Sequence, residues 1–396
     1  MKAIILAAGK GTRMGPLCTD RPKPLLKILN KPVIEWNLEA AYDFADSFVI
    51  IVGHNGEKIK KFLGDKFKSK KITYIEQKEQ AGTGHALLQS EAEAKGKFLV
   101  FMGDDVYEKT CFEKLLKTEL GILGQKVDNP EIFGLIEHKN EKLTGLLEKP
   151  ENPKSNLVNT GLYLLNEKIF DELKGVKKSQ RGEIELTDAI LSFSKKYGIQ
   201  VIEAESGWTP LTYPWSLFTA AENKFRQMKK STDKTAIIEA GATIKGEVFI
   251  GPNTVIKAGS YIEGPVHIGS GCRIGPNCYI RQQTIIGDNC HIGNGVEVKN
   301  SIFFGNTNAA HQSYIGDSII GENCNFGSGT ITANLRLDDL PVKVSIKDAR
   351  IQTSRKKLGA IIGDDVKIGV NVSIMPGVCI SSGSRINAHQ LVKRDI

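Results

Sequence analysis

The sequence predicts an α/β domain with a mainly parallel sheet over residues 1–230, followed by a parallel β-helix over residues 231–396. Three observations carry that expectation. Residues 2–230 alternate short apolar runs with helical patterns, as strands joined through helices do. From Ile238 to Ile292 an isoleucine falls at every sixth position, Val298 and Phe304 extend the register, and Ile362, Ile368, Ile374, Ile380, Ile386 and Val392 restart it. Many of these residues are followed by Gly. A period of six suits neither a lone helix nor a lone strand. It suits a coil in which each hexad makes one strand and one turn, with the aliphatic residue pointing inward.

In chain order, residues 2–6 read as a first strand, 33–42 as a helix, 48–52 as a strand, 56–66 as a helix, 72–77 as a strand and 84–94 as a helix. Residues 98–102 form the next buried strand and end at Gly103-Asp104-Asp105, where functional groups of such sheets gather. Residues 216–229 have helical spacing and read as a connecting helix, with the coil beginning near Thr235. Gly251, Gly269, Gly275, Gly287 and Gly293 fall at coil corners, where positive φ or close backbone approach excludes a Cβ.

The net charge is +8, and from residue 341 onward ten Lys or Arg face four Asp or Glu. That surplus suits an anionic small molecule; no aromatic stacking pattern accompanies it, so nucleic acid is not expected. Seven scattered cysteines without C-x-x-C spacing argue against a disulfide framework or a zinc site and for a reducing cytoplasm. Cys272 and Cys290 lie eighteen residues apart, one coil of three hexads, and should stack as small apolar fillers. The opening apolar run is too short for a signal peptide, no run approaches a membrane span, and a soluble protein without membrane partners is expected.

The first strand leads into Leu6-Ala7-Ala8-Gly9-Lys10-Gly11-Thr12-Arg13, where Gly9 and Gly11 let backbone N–H groups face phosphates and Lys10 and Arg13 add cations. Arg21-Pro22-Lys23-Pro24, Gln77, Gly82-Thr83-Gly84-His85-Ala86 and Gly103-Asp104 follow, then Phe133-Gly134, Glu148-Lys149-Pro150, Asn159-Thr160-Gly161 and Glu185-Leu186-Thr187-Asp188. Together these resemble the sugar-1-phosphate nucleotidylyltransferases over almost all of residues 2–230. The resemblance implies in-line attack of a sugar-phosphate oxygen on the α-phosphorus of UTP or dTTP. Leu6, Ala8, Gly9, Gly11, Thr12, Arg13, Lys23, Gln77, Gly82 and Thr83 would hold the nucleotide, with Arg13 and Lys23 on the triphosphate. Gly134, Glu148, Asn159 and Thr187 would face the sugar, and Asp104 would hold Mg²⁺. The family supplies a second metal ligand, Asp or Asn, where this chain has Pro210.

After the first ladder, Ala309-Ala310-His311-Gln312-Ser313-Tyr314-Ile315-Gly316-Asp317 and Gly321-Glu322-Asn323-Cys324-Asn325 contain a hexad shortened to five between Ile315 and Ile320. This run resembles the acetyltransferase half of the bifunctional enzymes that make UDP-N-acetylglucosamine. That resemblance implies His311 as the base that takes the amine proton during attack on acetyl-CoA. By the same resemblance Arg281 and Lys299 would bind the acceptor's phosphate, Tyr314, Asn325 and Asn334 the acceptor itself, with Lys343 on the acceptor and Arg394 on acetyl-CoA. Residues 335–358 form an insertion, basic from 341, expected as a β-rich loop leaving the coil.

The resemblance thus implies an α/β nucleotidyltransferase (Rossmann-like) domain joined to a left-handed parallel β-helix of hexapeptide repeats, assembled as a homotrimer. The implied function is bifunctional: acetylation of glucosamine-1-phosphate, then uridylyl or thymidylyl transfer to N-acetylglucosamine-1-phosphate or a related sugar phosphate. Two alternatives stay open. The coil could serve assembly alone beside a single nucleotidylyl activity, or the chain could be a noncatalytic sugar-nucleotide sensor or scaffold.

Overall fold

A computed structural model describes residues 1–179, 182–347 and 349–396. It divides into two compact units, one of Met1–Lys10, Pro22–Leu25 and Pro32–Pro210, the other of Gly11–Arg21, Leu26–Lys31 and Leu211–Ile396.

The first unit is built on a ten-stranded sheet. Its order is Gly134–Lys139, Lys142–Glu148, Gln200–Ala204, Gly121–Lys126, Leu157–Asn166, Lys97–Met102, Lys2–Ala7, Ser47–Val52, Lys70–Glu76 and Lys66–Phe67. Lys2–Ala7 pairs in parallel with Ser47–Val52 and Lys97–Met102, and Ser47–Val52 in parallel with Lys70–Glu76. Of these, Lys2–Ala7, Ser47–Val52 and Lys97–Met102 are apolar on both faces and mostly buried, the condition for a parallel sheet covered by helices. Leu157–Asn166 runs antiparallel to both neighbours, so the sheet is more mixed than the alternating pattern predicts.

Helices end earlier than their periodicity predicts. The helix from Gly56 stops at Leu63 because Gly64 turns with φ 68°, and Lys66–Phe67 then pairs back on Lys70–Lys71. The helix expected over 84–94 is Thr83–Leu88, after which turns closed by Ser90 take over.

In the second unit, three eight-stranded parallel sheets form the faces of a left-handed β-helix. The first face begins at Ser231–Thr232, a few residues before Thr235. Strands one coil apart align eighteen residues apart down to Ile292, as in Ile256 with Ile274 and Ile274 with Ile292. Ile292 then aligns with Ala309, Val298 with Ile315 and Phe303 with Ile320, seventeen residues on. The inward residue after Val298 is therefore Phe303, which joins the aliphatic core, and Phe304 points outward although it too is buried. The hexad shortens twice, between Val298 and Phe303 and again between Ile315 and Ile320. The ladder does not fail after Phe304. It continues through Ala309, Ile315, Ile320, Phe326 and Thr332 before the chain leaves the coil, and Thr332 realigns with Ile374.

The excursion contains an antiparallel hairpin, Lys343–Ile346 with Ala349–Gln352. At corners such as Gly287 and Gly293, an added Cβ would stand 2.5 Å from the Phe304 carbonyl carbon and 2.0 Å from the Ala310 oxygen, so close approach between coils demands glycine there. The left-handed conformation itself falls at neighbouring Asn289 (φ 56°) and Gly295 (φ 69°). Cys272, Cys290 and Cys324 are free and buried. Burial pushes the Cys272 thiol up to about 11, which makes it an inert filler.

Candidate active sites

In the first unit the strand Lys97–Met102 delivers Gly103-Asp104-Asp105 beside the end of Lys2–Ala7, with the Gly103 amide donating to the Leu6 carbonyl at 2.9 Å. Lys23 Nζ lies 2.7 Å from an Asp104 carboxylate oxygen and 3.7 Å from Asp105. Asp105 is held separately: Trp208 Nε1 donates to its carboxylate at 3.2 Å, and Asn37 Nδ2 donates to its carbonyl at 2.6 Å. Asp105 is thereby a fixed neighbour, and Asp104 is the carboxylate that faces the lysine.

Gln77 is buried, donating to the Gly82 carbonyl at 3.0 Å and meeting His85 Nδ1 at 3.0 Å. His85 thus acts on Gln77 as a brace. A cleft of about 340 Å³ lined by Lys10, Gly53, His54, Glu76, Gln77, Lys78 and Gln80 opens beside it. Gln80 Nε2 reaches the Ala8 carbonyl at 3.0 Å. Gln80 was not singled out in the sequence, because a lone glutamine in a polar loop carries no pattern. Leu6 and Ala8 are buried, Gly9 exposed and Gly82 half-buried, while Thr83 Oγ1 accepts from the Leu186 amide at 3.3 Å. Gly11, Thr12 and Arg13 belong to the second unit, where Thr12 and Arg13 are exposed at the start of the 3₁₀ segment Thr12–Cys18.

The four residues assigned to the sugar converge. A Cβ on Gly134 would meet Glu148 Oε2 at 3.3 Å, Asn159 Cβ at 3.7 Å and Thr187 Cγ2 at 3.9 Å. Asn159 is fixed by donating to the Tyr163 hydroxyl at 2.6 Å and accepting from the Gly161 amide. Among the described residues the buried Thr187 hydroxyl has no hydrogen-bond partner, and a bound hydroxyl would satisfy it. Burial and the nearby Glu185 and Glu148 carboxylates push the neighbouring Asp188 carboxyl up. Pro210 is half-buried and offers no ligand. Among the described residues no group of three or more His, Cys, Asp or Glu could hold a metal.

In the second unit, Arg281, Lys299, Tyr314 and Asn334 gather on the third face of the coil. Arg281 pairs with Glu297 at 2.8 Å and Lys299 with Asp317 at 3.0 Å. Asn334 donates to the Tyr314 hydroxyl at 3.1 Å and to Asp317, and Asn300 donates to Asp317 at 2.7 Å. Asp317, almost fully buried, is the hub that the motifs did not reveal; its signal was its place directly after Ile315-Gly316 in the shortened hexad. Burial, reinforced by Asp317, pushes the Tyr314 hydroxyl up, so it stays protonated and can donate. Arg281, Lys299 and Asn300 line a cleft of about 320 Å³.

His311 is exposed at the end of the strand Asn308–His311 on the second face. Asn325 stacks beneath Asn308 on that same face, apart from the Tyr314 and Asn334 pair. Lys343 opens the hairpin and Arg394 is exposed beyond the last strand, and among the described residues neither bonds to the third-face cluster.

Residues 2–226 match the nucleotidyl transferase family and residues 262–355 the GMPPB C-terminal domain. The chain is 46% identical, over its whole length and 96% of the relative's, to the bifunctional protein GlmU of Methanocaldococcus jannaschii. It is 41% identical, over its whole length and 98% of the relative's, to a bifunctional sugar-1-phosphate nucleotidylyltransferase/acetyltransferase of Sulfurisphaera tokodaii. Among solved structures, UDP-glucose pyrophosphorylase complexed with UDP-glucose aligns with a TM-score of 0.52 and 25% identity, covering 57% of this chain and 98% of that one. The protein belongs to the nucleotidyl transferase family, as one of its bifunctional nucleotidylyltransferase/acetyltransferase members.

Proposed function

We propose that residues 1–230 transfer a uridylyl or thymidylyl group from UTP or dTTP to N-acetylglucosamine-1-phosphate or a related sugar phosphate, and that residues 231–396 acetylate glucosamine-1-phosphate with acetyl-CoA. One observation supports the acetyl half above others: two cations, a protonated tyrosine and an amide share one coil face, anchored on a buried aspartate. A coil used only for assembly has no need of that arrangement.

In acetyl transfer the acceptor amine attacks the thioester carbonyl, its proton passes to the His311 imidazole, and the C–S bond breaks to release CoA. Arg281 and Lys299 hold the acceptor's phosphate; Tyr314, Asn325 and Asn334 orient the sugar. Lys343 and Arg394 are assigned to phosphates of the acceptor and of CoA. In nucleotidyl transfer the sugar-phosphate oxygen attacks the α-phosphorus and pyrophosphate leaves, a reaction governed by positioning and charge neutralisation. Arg13 and Lys23 grip the triphosphate, Gln77, Gly82 and Thr83 read the base, and Gly134, Glu148, Asn159 and Thr187 hold the sugar.

Asp104 fits Mg²⁺. Its carboxylate is partly exposed at a strand end, and this ion is held by one or two carboxylates with phosphates and water completing the shell. Bound there, Mg²⁺ neutralises charge on phosphate oxygens. With Pro210 in place of a second acidic residue, Asp104 would be the side chain that holds the ion. We further infer a homotrimer of cytoplasmic chains acting on small molecules. Among the described residues no helix is long and apolar enough to cross a membrane.

The test is a pair of assays on the full chain. CoA release from acetyl-CoA with glucosamine-1-phosphate and Mg²⁺-dependent pyrophosphate release from UTP with N-acetylglucosamine-1-phosphate should both be seen; absence of either removes that half of the proposal.

A further inference from the structure

The strand Lys2–Ala7 runs into a short connection whose first carbonyl is held by two neighbours, all within the first unit. Gly53, just past the paired strand Ser47–Val52, lies so close that an added Cβ would stand 2.7 Å from the Ala8 carbonyl oxygen and 3.0 Å from the Ala8 Cβ. Gln80 Nε2 donates to that same carbonyl oxygen at 3.0 Å. The loop that carries Gln80 is itself braced. The Gln77 amide donates to the Val52 carbonyl at 2.8 Å, and the Ala81 carbonyl accepts from the Ile184 amide at 2.8 Å.

The consequence falls on Gly9. The Ala8–Gly9 peptide bond is trans and planar, so its N–H points away from its C=O. Tying the Ala8 carbonyl to Gln80 therefore sets the direction of the Gly9 N–H. Gly9 is exposed, and among the described residues its amide donates to no acceptor. An added Cβ at Gly9 would meet nothing within 4 Å, and its φ is not in the left-handed range, so neither packing nor backbone conformation within the chain calls for glycine there. A ligand lying against the backbone does call for it. The adjoining cleft is lined by Lys10 and Lys78 against one acid, Glu76, which with an unfilled backbone donor suits a phosphate.

We propose that Gln80 is a positioning residue for nucleotidyl transfer: its side-chain amide sets the Ala8–Gly9 peptide plane so that the Gly9 N–H faces a phosphate of the bound UTP or dTTP. The proposal rests on the reading of Gly9 as a nucleotide ligand. Gln80 acts through the Ala8 carbonyl, so its contribution belongs to the phosphates and not to the base or ribose.

The test uses the full chain with Gln80→Ala and Gly9→Ala, measuring kcat and KM for UTP in pyrophosphate release, and Kd for UTP and for uridine by titration calorimetry. Gln80→Ala should raise KM and Kd for UTP by about tenfold, the scale of one hydrogen bond to a charged group, with uridine binding unchanged. Gly9→Ala, for which the chain has room, should raise both at least as much, because the methyl group occupies the ligand's approach. Unchanged UTP values in Gln80→Ala, when Gly9→Ala raises them, overturn the positioning role alone. Unchanged values in Gly9→Ala overturn the reading beneath it, and the proposal with it. Equal weakening of UTP and uridine in Gln80→Ala sets its side chain against the nucleoside itself and overturns the positioning role, as does a fall in kcat at unchanged KM, which marks loss of folded enzyme.

Discussion

Thr187 shows what a single side chain contributes. Its hydroxyl is buried with no partner among the described residues, so replacing it with the nearly isosteric valine removes none of their hydrogen bonds and leaves stability unchanged or improved. Thr187→Val should instead weaken the sugar phosphate by about 1 kcal/mol, roughly a fivefold rise in its KM. An unaltered KM would take Thr187 out of the sugar site. At this scale the sequence was informative where short motifs carry their own spacing. Gly134, Glu148, Asn159 and Thr187, drawn from four separate motifs, lie together in the first unit. It was silent where a residue acts through contacts far along the chain. Asp317 collects Lys299 and Asn300 from the coil before it and Asn334 from the coil after it, and no local pattern announces partners that are neighbours only after coiling.

At the scale of the element, the hexad predicts the coil but not its joints. An outward Phe304 and an inward Phe303 are equally apolar, so hydrophobicity alone could not tell where the first five-residue step falls; the register against Ile286 and Ile320 decides it. Asp317 follows the second such step and is tied by charge to Lys299. Asp317→Ala should destabilise the coil by about 3–5 kcal/mol, because it leaves Lys299 without its buried partner, and a melting temperature equal to the parent's would disprove this.

His267 gives the coil a pH dependence. It stacks on Phe249 with ring centres 4.5 Å apart, and burial lowers its imidazole to about 4, opposed in part by Asp288. A depressed histidine leaves stability intact above its unfolded value near 6.5 and withdraws it as pH falls toward the folded value, here a loss of about 3 kcal/mol. Unfolding midpoints measured from pH 7 to 4 should fall for the parent and fall less for His267→Phe. Parallel curves would assign the acid sensitivity elsewhere.

For the whole molecule, alternation of strands and helices and a six-residue repeat were enough to read both architectures in the sequence. What they could not convey is that Gly11–Arg21 and Leu26–Lys31 fold with the coil, since that depends on acids at positions 288, 322 and 364 that are neighbours only after coiling. The proposed assembly is checked by sedimentation equilibrium of the full chain. Three chains per particle are expected, and a monomer at assay concentration would remove the trimer.

The central claim is that two separable chemistries reside in one chain, one on Asp104 and one on His311. The most direct measurement is a crossed assay of Asp104→Ala and His311→Ala for both pyrophosphate and CoA release. Asp104→Ala should lose nucleotidyl transfer while keeping acetyl transfer. His311→Ala should lose acetyl transfer by about 10²–10⁴-fold, the usual worth of a general base, while keeping nucleotidyl transfer. Loss of both activities in either variant, or of neither, would contradict the account.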